Sequence, residues 1–347
     1  MAATFKRFFD SDVARTVSKL HEAIPITGTI VSGTYTESGD GTNIKNYAHG
    51  MFQSVYDYPY LSSSANHIFD TTVGYSANSG LSGSASVQNT KKINIYNQMA
   101  QILVEKDVNG NIQEFDQDGN ISAGGTKMQE CVFISLARLL TKDEVKKQSF
   151  SLQVLTGGAN SAPSDIETVS DYNALTEYKV NSPAGEYGLL YTSSTGITTS
   201  SAVGHLYYQA GIAVLTASVF DGEFGPMNVS IGTASINQVL TGGTIESSST
   251  GLRNRWYNLD FNNTTELNSS IYFCRANSNE FNYSSNPTYL SGSKLVVKND
   301  FDDTPVSYVT SIGLYNDKNE LLAVAKLSEA LKKDPTNELT LRVRLDY

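Results

Sequence analysis

The stretch that follows Pro305 constrains the fold more than any other part of the chain. Two apolar runs, Ser307-Tyr-Val-Thr-Ser-Ile-Gly-Leu-Tyr and Glu320-Leu-Leu-Ala-Val-Ala-Lys-Leu, flank the polar turn Asn316-Asp317-Lys318-Asn319, which predicts a β-hairpin. The closing run, Glu338 to Tyr347, alternates strictly. Leu339, Leu341, Val343 and Leu345 share one face, and Glu338, Thr340, Arg342, Arg344 and Asp346 the other, so a half-buried strand is expected. A terminus held in a strand is tied into a sheet, its own or a neighbour's, because free ends fray. The region reads as assembly surface and contains no chemistry.

A chain of 347 residues can bury about three quarters of its unfolded surface, enough for one large core or two modest ones. Only 17% of residues are charged, while 20 are Tyr, so much of the surface is neutral polar and desolvates at low cost where proteins meet. A net charge of −10 and a pI of about 4.9 argue against a nucleic-acid partner, whose affinity comes largely from phosphate neutralisation. Cys131 and Cys274 lie far apart in apolar runs and read as small buried hydrophobes. The N-terminus lacks the apolar core of a signal peptide, and no run reaches the roughly 20 apolar residues of a membrane span, so a cytoplasmic product with no membrane insertion is expected.

Along the chain, Ser11 as a cap with Val13, Val17, Leu20 and Ile24 at helical spacing predicts a helix stopped by Pro25, followed by a strand from Ile26 to Tyr35. A strand is expected over Ile68 to Tyr75 and a helix over Ile95 to Leu103. Asn109-Gly110 and Asp118-Gly119 read as hairpin turns, with Ile112 and Phe115 between them. Thr141 and Glu144 fit a capping box, predicting a short helix before a Phe150-to-Leu155 strand. The Ser- and Gly-rich stretch 157–201 suggests an inserted lobe or loop set. His205 to Phe220, interrupted by Gly211, predicts two strands or a bulged one at the heart of the core. Further strands are expected at Ile236 to Leu240, Leu259 to Phe261, Ile271 to Ala276 and Leu295 to Lys298. The expected fold is mainly β within α+β: a β-sandwich-based body with a few short helices and a C-terminal antiparallel β-module. The domain reading is an N-terminal helix and docking arm over 1–50, a body over 51–290 and a module over 291–347.

Candidate chemistry fails on spacing. Gly119 to Gly124 has the glycine spacing of a phosphate loop, but Thr126 and Lys127 are displaced and reversed. Gly74-Tyr-Ser-Ala-Asn lacks the closing glycine of a nucleophile elbow. Asp107, Asn109 and Asn111, like Asp116, Asp118 and Asn120, alternate as calcium ligands do, yet Ile112 and Ile121 stand where a calcium loop needs glycine. Asp300, Asp302 and Asp303 read as a solvated loop, and His21, His49, His67 and His205 show no metal-ligand spacing. No catalytic residue, cofactor or metal is expected, and the chain reads as no enzyme.

Two groups of segments carry a resemblance. Tyr308-Val-Thr-Ser-Ile-Gly-Leu-Tyr-Asn-Asp with Glu320-Leu-Leu-Ala-Val-Ala-Lys-Leu resembles a short β-module of phage tail-fibre proteins. Phe5-Lys-Arg-Phe-Phe-Asp, Ile24-Pro-Ile-Thr-Gly-Thr-Ile-Val and Ser54-Val-Tyr-Asp-Tyr-Pro-Tyr resemble a virion structural protein of contractile-tailed phages, especially T-even-like phages of marine bacteria. The resemblance implies a non-enzymatic tail subunit, located in the virion tail and placed in the baseplate wedge, whose partners are other virion proteins or copies of itself. Its expected interface residues are Phe5, Phe8 and Phe9 in an N-terminal anchor, the aromatic knot Tyr56, Tyr58 and Tyr60, and Leu341, Val343, Leu345 and Tyr347 on the closing strand. The alternatives are a receptor-binding or fibre-attachment protein that recognises host surface glycans through that knot, and a neck or capsid-decorating subunit.

Overall fold

The computed structural model describes residues 5–25, 43–57, 65–83, 86–121, 124–155, 166–220, 235–253, 255–284, 290–296, 300 and 302–347. Its strands are β1 (Val13–Pro25), β2 (Ile44–Asn46), β3 (Gln53–Tyr56), β4 (His67–Tyr75), β5 (Phe115–Asp116), β6 (Lys127–Met128), β7 (Glu130–Leu136), β8 (Glu144–Val145), β9 (Ser151–Leu155) and β10 (Ile166–Ser170). Then follow β11 (Tyr187–Leu190), β12 (Gly204–Tyr207), β13 (Ile212–Thr216), β14 (Trp256–Ala276), β15 (Leu290–Ser291), β16 (Lys294–Leu295), β17 (Ser307–Tyr315), β18 (Leu321–Lys333) and β19 (Leu339–Asp346). The helices are α1 (Val87–Leu103), α2 (Arg138–Thr141), α3 (Ile236–Gly242) and α4 (Ile245–Arg253). The chain is mainly β within α+β, with antiparallel sheets. It divides into two compact units: unit 1 is Met1–Lys19 with Glu266–Tyr347, and unit 2 is Leu20–Thr265.

Unit 2 is built on a sheet of order β11-β12-β13-β7-β4-β3-β2. The apolar runs Cys131-Val-Phe-Ile and Ala213-Val-Leu do not alternate with polar residues because both faces of this sheet are covered, and every one of these side chains is buried. On one face, register brings Tyr187, Tyr207, Ile212 and Ser135 into a row, with Leu189, His205, Val214, Phe133 and Thr72 in the next. Tyr187 and Tyr207 stack at 4.8 Å, and Phe115 and Tyr96 close over Phe133. The helix α1 lies on this face at Gly74, where a Cβ would stand 2.7 Å from the Lys92 carbonyl oxygen and 2.9 Å from the Tyr96 nitrogen. The other face carries Phe69, whose ring lies 5.1 Å from that of Trp256 at the start of β14. Leu152, Val154 and Leu259 of β9 and β14 enter the same core, so the sandwich-based body is present.

Local chemistry explains the helices. Ser86 caps α1 by accepting from the Asn89 N–H at 3.2 Å. The Lys92 amine, wholly buried, donates to the Leu240 and Gly243 carbonyls at the end of α3, the second at 2.6 Å; burial pulls its pKa down to about 8. Both glycine turns form as expected: Gly110 and Gly119 take φ of 83° and 70°, and Lys106 bridges Ile112 while β5 pairs with β6. Gly211, at φ 66°, turns β12 into β13 and resolves the predicted core segment into two strands.

Several expectations are corrected. The helix predicted after Ser11 is the strand β1, paired with β14. Its helical spacing of apolar residues had nothing to face, since Ala14 to Ala23 are all exposed; β-branched Val13, Thr16 and Val17 and the open backbone of β14 decide the conformation. The strand predicted at Ile236 to Leu240 is the helix α3, fixed by a capping box in which Ser235 accepts from the Gln238 N–H and Gln238 from the Ser235 N–H. The expected capping box does not form: the short helix α2 ends at Thr141, whose hydroxyl donates back to the Arg138 carbonyl at 3.4 Å, while Glu144 begins a strand. The two strands expected at Leu259 to Phe261 and Ile271 to Ala276 are parts of one, β14. Of 157–201, the described part is no inserted lobe: β10 pairs with β9 and β11 with β12, and Tyr187, Leu190 and Tyr191 are buried. Cys131 is buried as expected, whereas Cys274 is half-buried. The strand expected from Ile26 to Tyr35 lies outside the described residues.

Candidate protein interface

Unit 1 has little apolar core. Among its described residues, Leu314 and Val343 are the buried apolar side chains, whereas Asp12, Ser269, Ser270, Ser307, Lys333 and Asp334 are buried polar ones. Polar pegs hold it. The Asp12 carboxylate accepts from the Phe9 N–H at 2.9 Å and from Arg275 Nε at 2.7 Å, and these partners hold it below the usual carboxylate range. Lys6 pairs with Glu280 at 2.6 Å. The Lys333 amine donates to the Ser278 carbonyl at 3.2 Å, the Asn282 side-chain oxygen at 2.7 Å and the Asp334 carbonyl at 2.9 Å, while the Ser307 hydroxyl donates to the Phe281 carbonyl. The base of the β17–β18 hairpin is thus fixed to the loop after β14.

The expected anchor and the closing strand meet. The Phe8 ring lies 5.4 Å from Tyr272, and Tyr272 is directly opposite Val343 in the β14–β19 register. Leu341 and Leu345 are half-buried opposite Cys274 and Ser270, so the apolar face of β19 packs within unit 1. Tyr347 exchanges backbone hydrogen bonds with Asn268 at 2.9 and 3.2 Å, yet its ring is 72% exposed. Phe5 and Phe9 remain 54% and 68% exposed. In unit 2, Tyr56 is half-buried against His67, with ring centroids 5.5 Å apart; Tyr58 and Tyr60 lie outside the described residues.

The sequence reading took the hairpin region as assembly surface but named none of its most exposed side chains. The hairpin turn forms as expected, with Asn316 Oδ1 accepting from the Lys318 and Glu320 N–H groups at 2.9 and 2.8 Å. Around it Tyr315, Leu321, Leu322 and Val324 are all more than half exposed, as is Tyr308 at the hairpin base. The available signal was Leu321-Leu-Ala-Val-Ala, an apolar run without alternation on a hairpin that no third strand joins among the described residues. Isolated two-stranded hairpins are marginal in water, so apolar residues on both faces call for a covering partner.

The buried ionisable groups of unit 2 brace the frame. Asp171 accepts from the Gln148 N–H at 2.7 Å, the Phe150 N–H at 3.1 Å and the Tyr208 hydroxyl at 2.9 Å; burial nevertheless pushes its pKa up to about 6. His205 is enclosed between Tyr187 and Phe115, and burial pulls it down to about 4. The Asp107 and Asp118 carboxylates are turned inward onto the N–H groups of their own turns, at 2.7 and 3.0 Å from Asn111 and Asn120. Among the described residues no cluster of His, Cys, Asp or Glu is arranged to hold a metal ion, and no helix is long and apolar enough to cross a membrane. No protein-family model matches the chain, and no curated protein or solved structure is found to be similar to it.

Proposed function

We propose that the chain is a structural subunit of a contractile phage tail, placed in the baseplate wedge, and that it acts through protein interfaces centred on unit 1. The observation that carries the reading is the imbalance of unit 1, whose described apolar side chains, Leu314 and Val343 apart, are half-buried or exposed while its buried bonds are polar. Such a surface is stable only when covered, and burying aromatic and aliphatic side chains at low desolvation cost suits obligate assembly. Unit 1 also carries thirteen basic and thirteen acidic residues, against twelve and twenty-two in unit 2, so the docking face is electrically neutral on an acidic chain. The tail assignment itself rests on the resemblance of the terminal segments. Electron microscopy of purified particles labelled with antibody to this chain tests it: label at the distal tail plate is expected, and label on fibres, neck or capsid, or absence from particles, would overturn the wedge placement.

A further inference from the structure

The two outer edges of the β17–β18 hairpin are built differently. Both irregularities in its ladder place extra residues on β18: between Val309 and Ser311 the partner moves from Leu331 to Lys326, and between Leu314 and Tyr315 from Ala323 to Leu321. The β18 strand also carries the exposed charges Lys326, Glu329 and Lys332. Bulges and charges are what blunt an exposed edge against pairing. The β17 edge has neither: Ser307 to Tyr315 contains no charge and no proline, runs regularly, and among the described residues is paired with no strand other than β18. We infer that β17 is a pairing edge and that its occupant is β17 of a second copy, which joins two hairpins into one continuous antiparallel sheet.

Charge favours a second copy. The whole excess of negative charge lies in unit 2, so the unit through which the two copies meet carries no net charge to repel its copy. The strand is also self-compatible. Centred on Ser311, antiparallel pairing sets Tyr308 against Leu314, Val309 against Gly313 and Thr310 against Ile312, with no charge buried at any position. This names a partner for one edge of the module described above and rests on that module being a docking surface, but not on the tail assignment. Particle labelling can fail while self-association is still measured.

The experiment is sedimentation of the full chain across the micromolar range. The unaltered protein is expected to form a concentration-dependent dimer. The double variant Thr310→Lys, Ser311→Lys, at two exposed positions, sets the lysine at position 311 directly opposite its own copy and the two at position 310 diagonal to each other, and should weaken that dimer by at least about tenfold. The variant Thr310→Glu, Ser311→Glu should behave the same alone, and an equimolar mixture of the two should recover the dimer. That recovery separates lost pairing from misfolding. An unaltered chain that stays monomeric, including one whose edge is taken only by a strand of another protein, would overturn the inference, as would lysine variants that dimerise normally.

Discussion

In unit 2 a strand such as β7 sends side chains into cores on both of its faces. In unit 1, β17, β18 and β19 are longer than β7, yet β18 buries one side chain, Lys333, along its thirteen residues. Strand length and hydrogen bonding are therefore not what separates them. The difference is cover: β7 has an aromatic layer on one side and a second sheet on the other, while among the described strands β17 and β18 pair only with each other. Apolar residues without cover are what the proposed interface would bury, and the charge balance follows the same division.

The sharpest break in the comparison is to hollow the core of one unit and unpeg the other. Phe133→Ala removes a ring packed on Phe115 and Tyr96 and should cost about 3–5 kcal/mol in denaturant unfolding. Lys333→Ala removes the buried ammonium from three acceptors and should cost about 2 kcal/mol, read as faster hydrogen exchange over β17 and β18 alone. Acid separates the units without mutation. In unit 1, Asp12, Glu280, Asp334 and Asp346 are held below their usual range by their hydrogen-bond partners, so they stabilise above the ordinary carboxylate pKa, and that stability is lost as pH falls. In unit 2, Glu22, Asp107 and Asp118 are lowered too, but buried Asp171, raised to about 6, contributes less as pH rises toward that value, while His205, lowered to about 4, contributes less as pH falls toward it. These slopes oppose each other across one window. Limited proteolysis below the ordinary carboxylate range is expected to cut unit 1 first; equal or reversed cleavage would break the comparison.

How much was legible follows from where each element's information lies. The β19 strand and the Asn316 turn were readable because alternation and turn chemistry are local, and so were α1 and the Gly211 turn between β12 and β13. The strand β1 was not, because its conformation comes from β14, far along the sequence. The α3 capping box at Ser235 and Gln238 was local and was overlooked in favour of the apolar content of Ile236 to Leu240. The boundary between units falls inside β14 at Glu266, where a continuous strand leaves no linker composition to notice. At the candidate interface, composition marked Phe5 and Phe9, but the contact of Phe8 with Tyr272 depends on folding, and the exposure of Leu322 depends on a third strand being absent among the described residues.

The smallest effect on stability sharpens the comparison most. Tyr315→Ser and Leu322→Ser alter rings and methyls already in water, 54% and 68% exposed, so together they should change unfolding free energy by no more than about 0.5 kcal/mol. If these residues are docking surface, the same pair should sharply reduce incorporation of the chain into particles, because side chains at the centre of an interface carry most of its affinity. A core position in unit 2 would show the reverse order, with stability lost before assembly. Incorporation that survives both substitutions while Phe5→Ala with Phe9→Ala abolishes it would move the interface from the hairpin to the N-terminal arm. Survival of all four would leave the exposed apolar residues of unit 1 without a role in assembly.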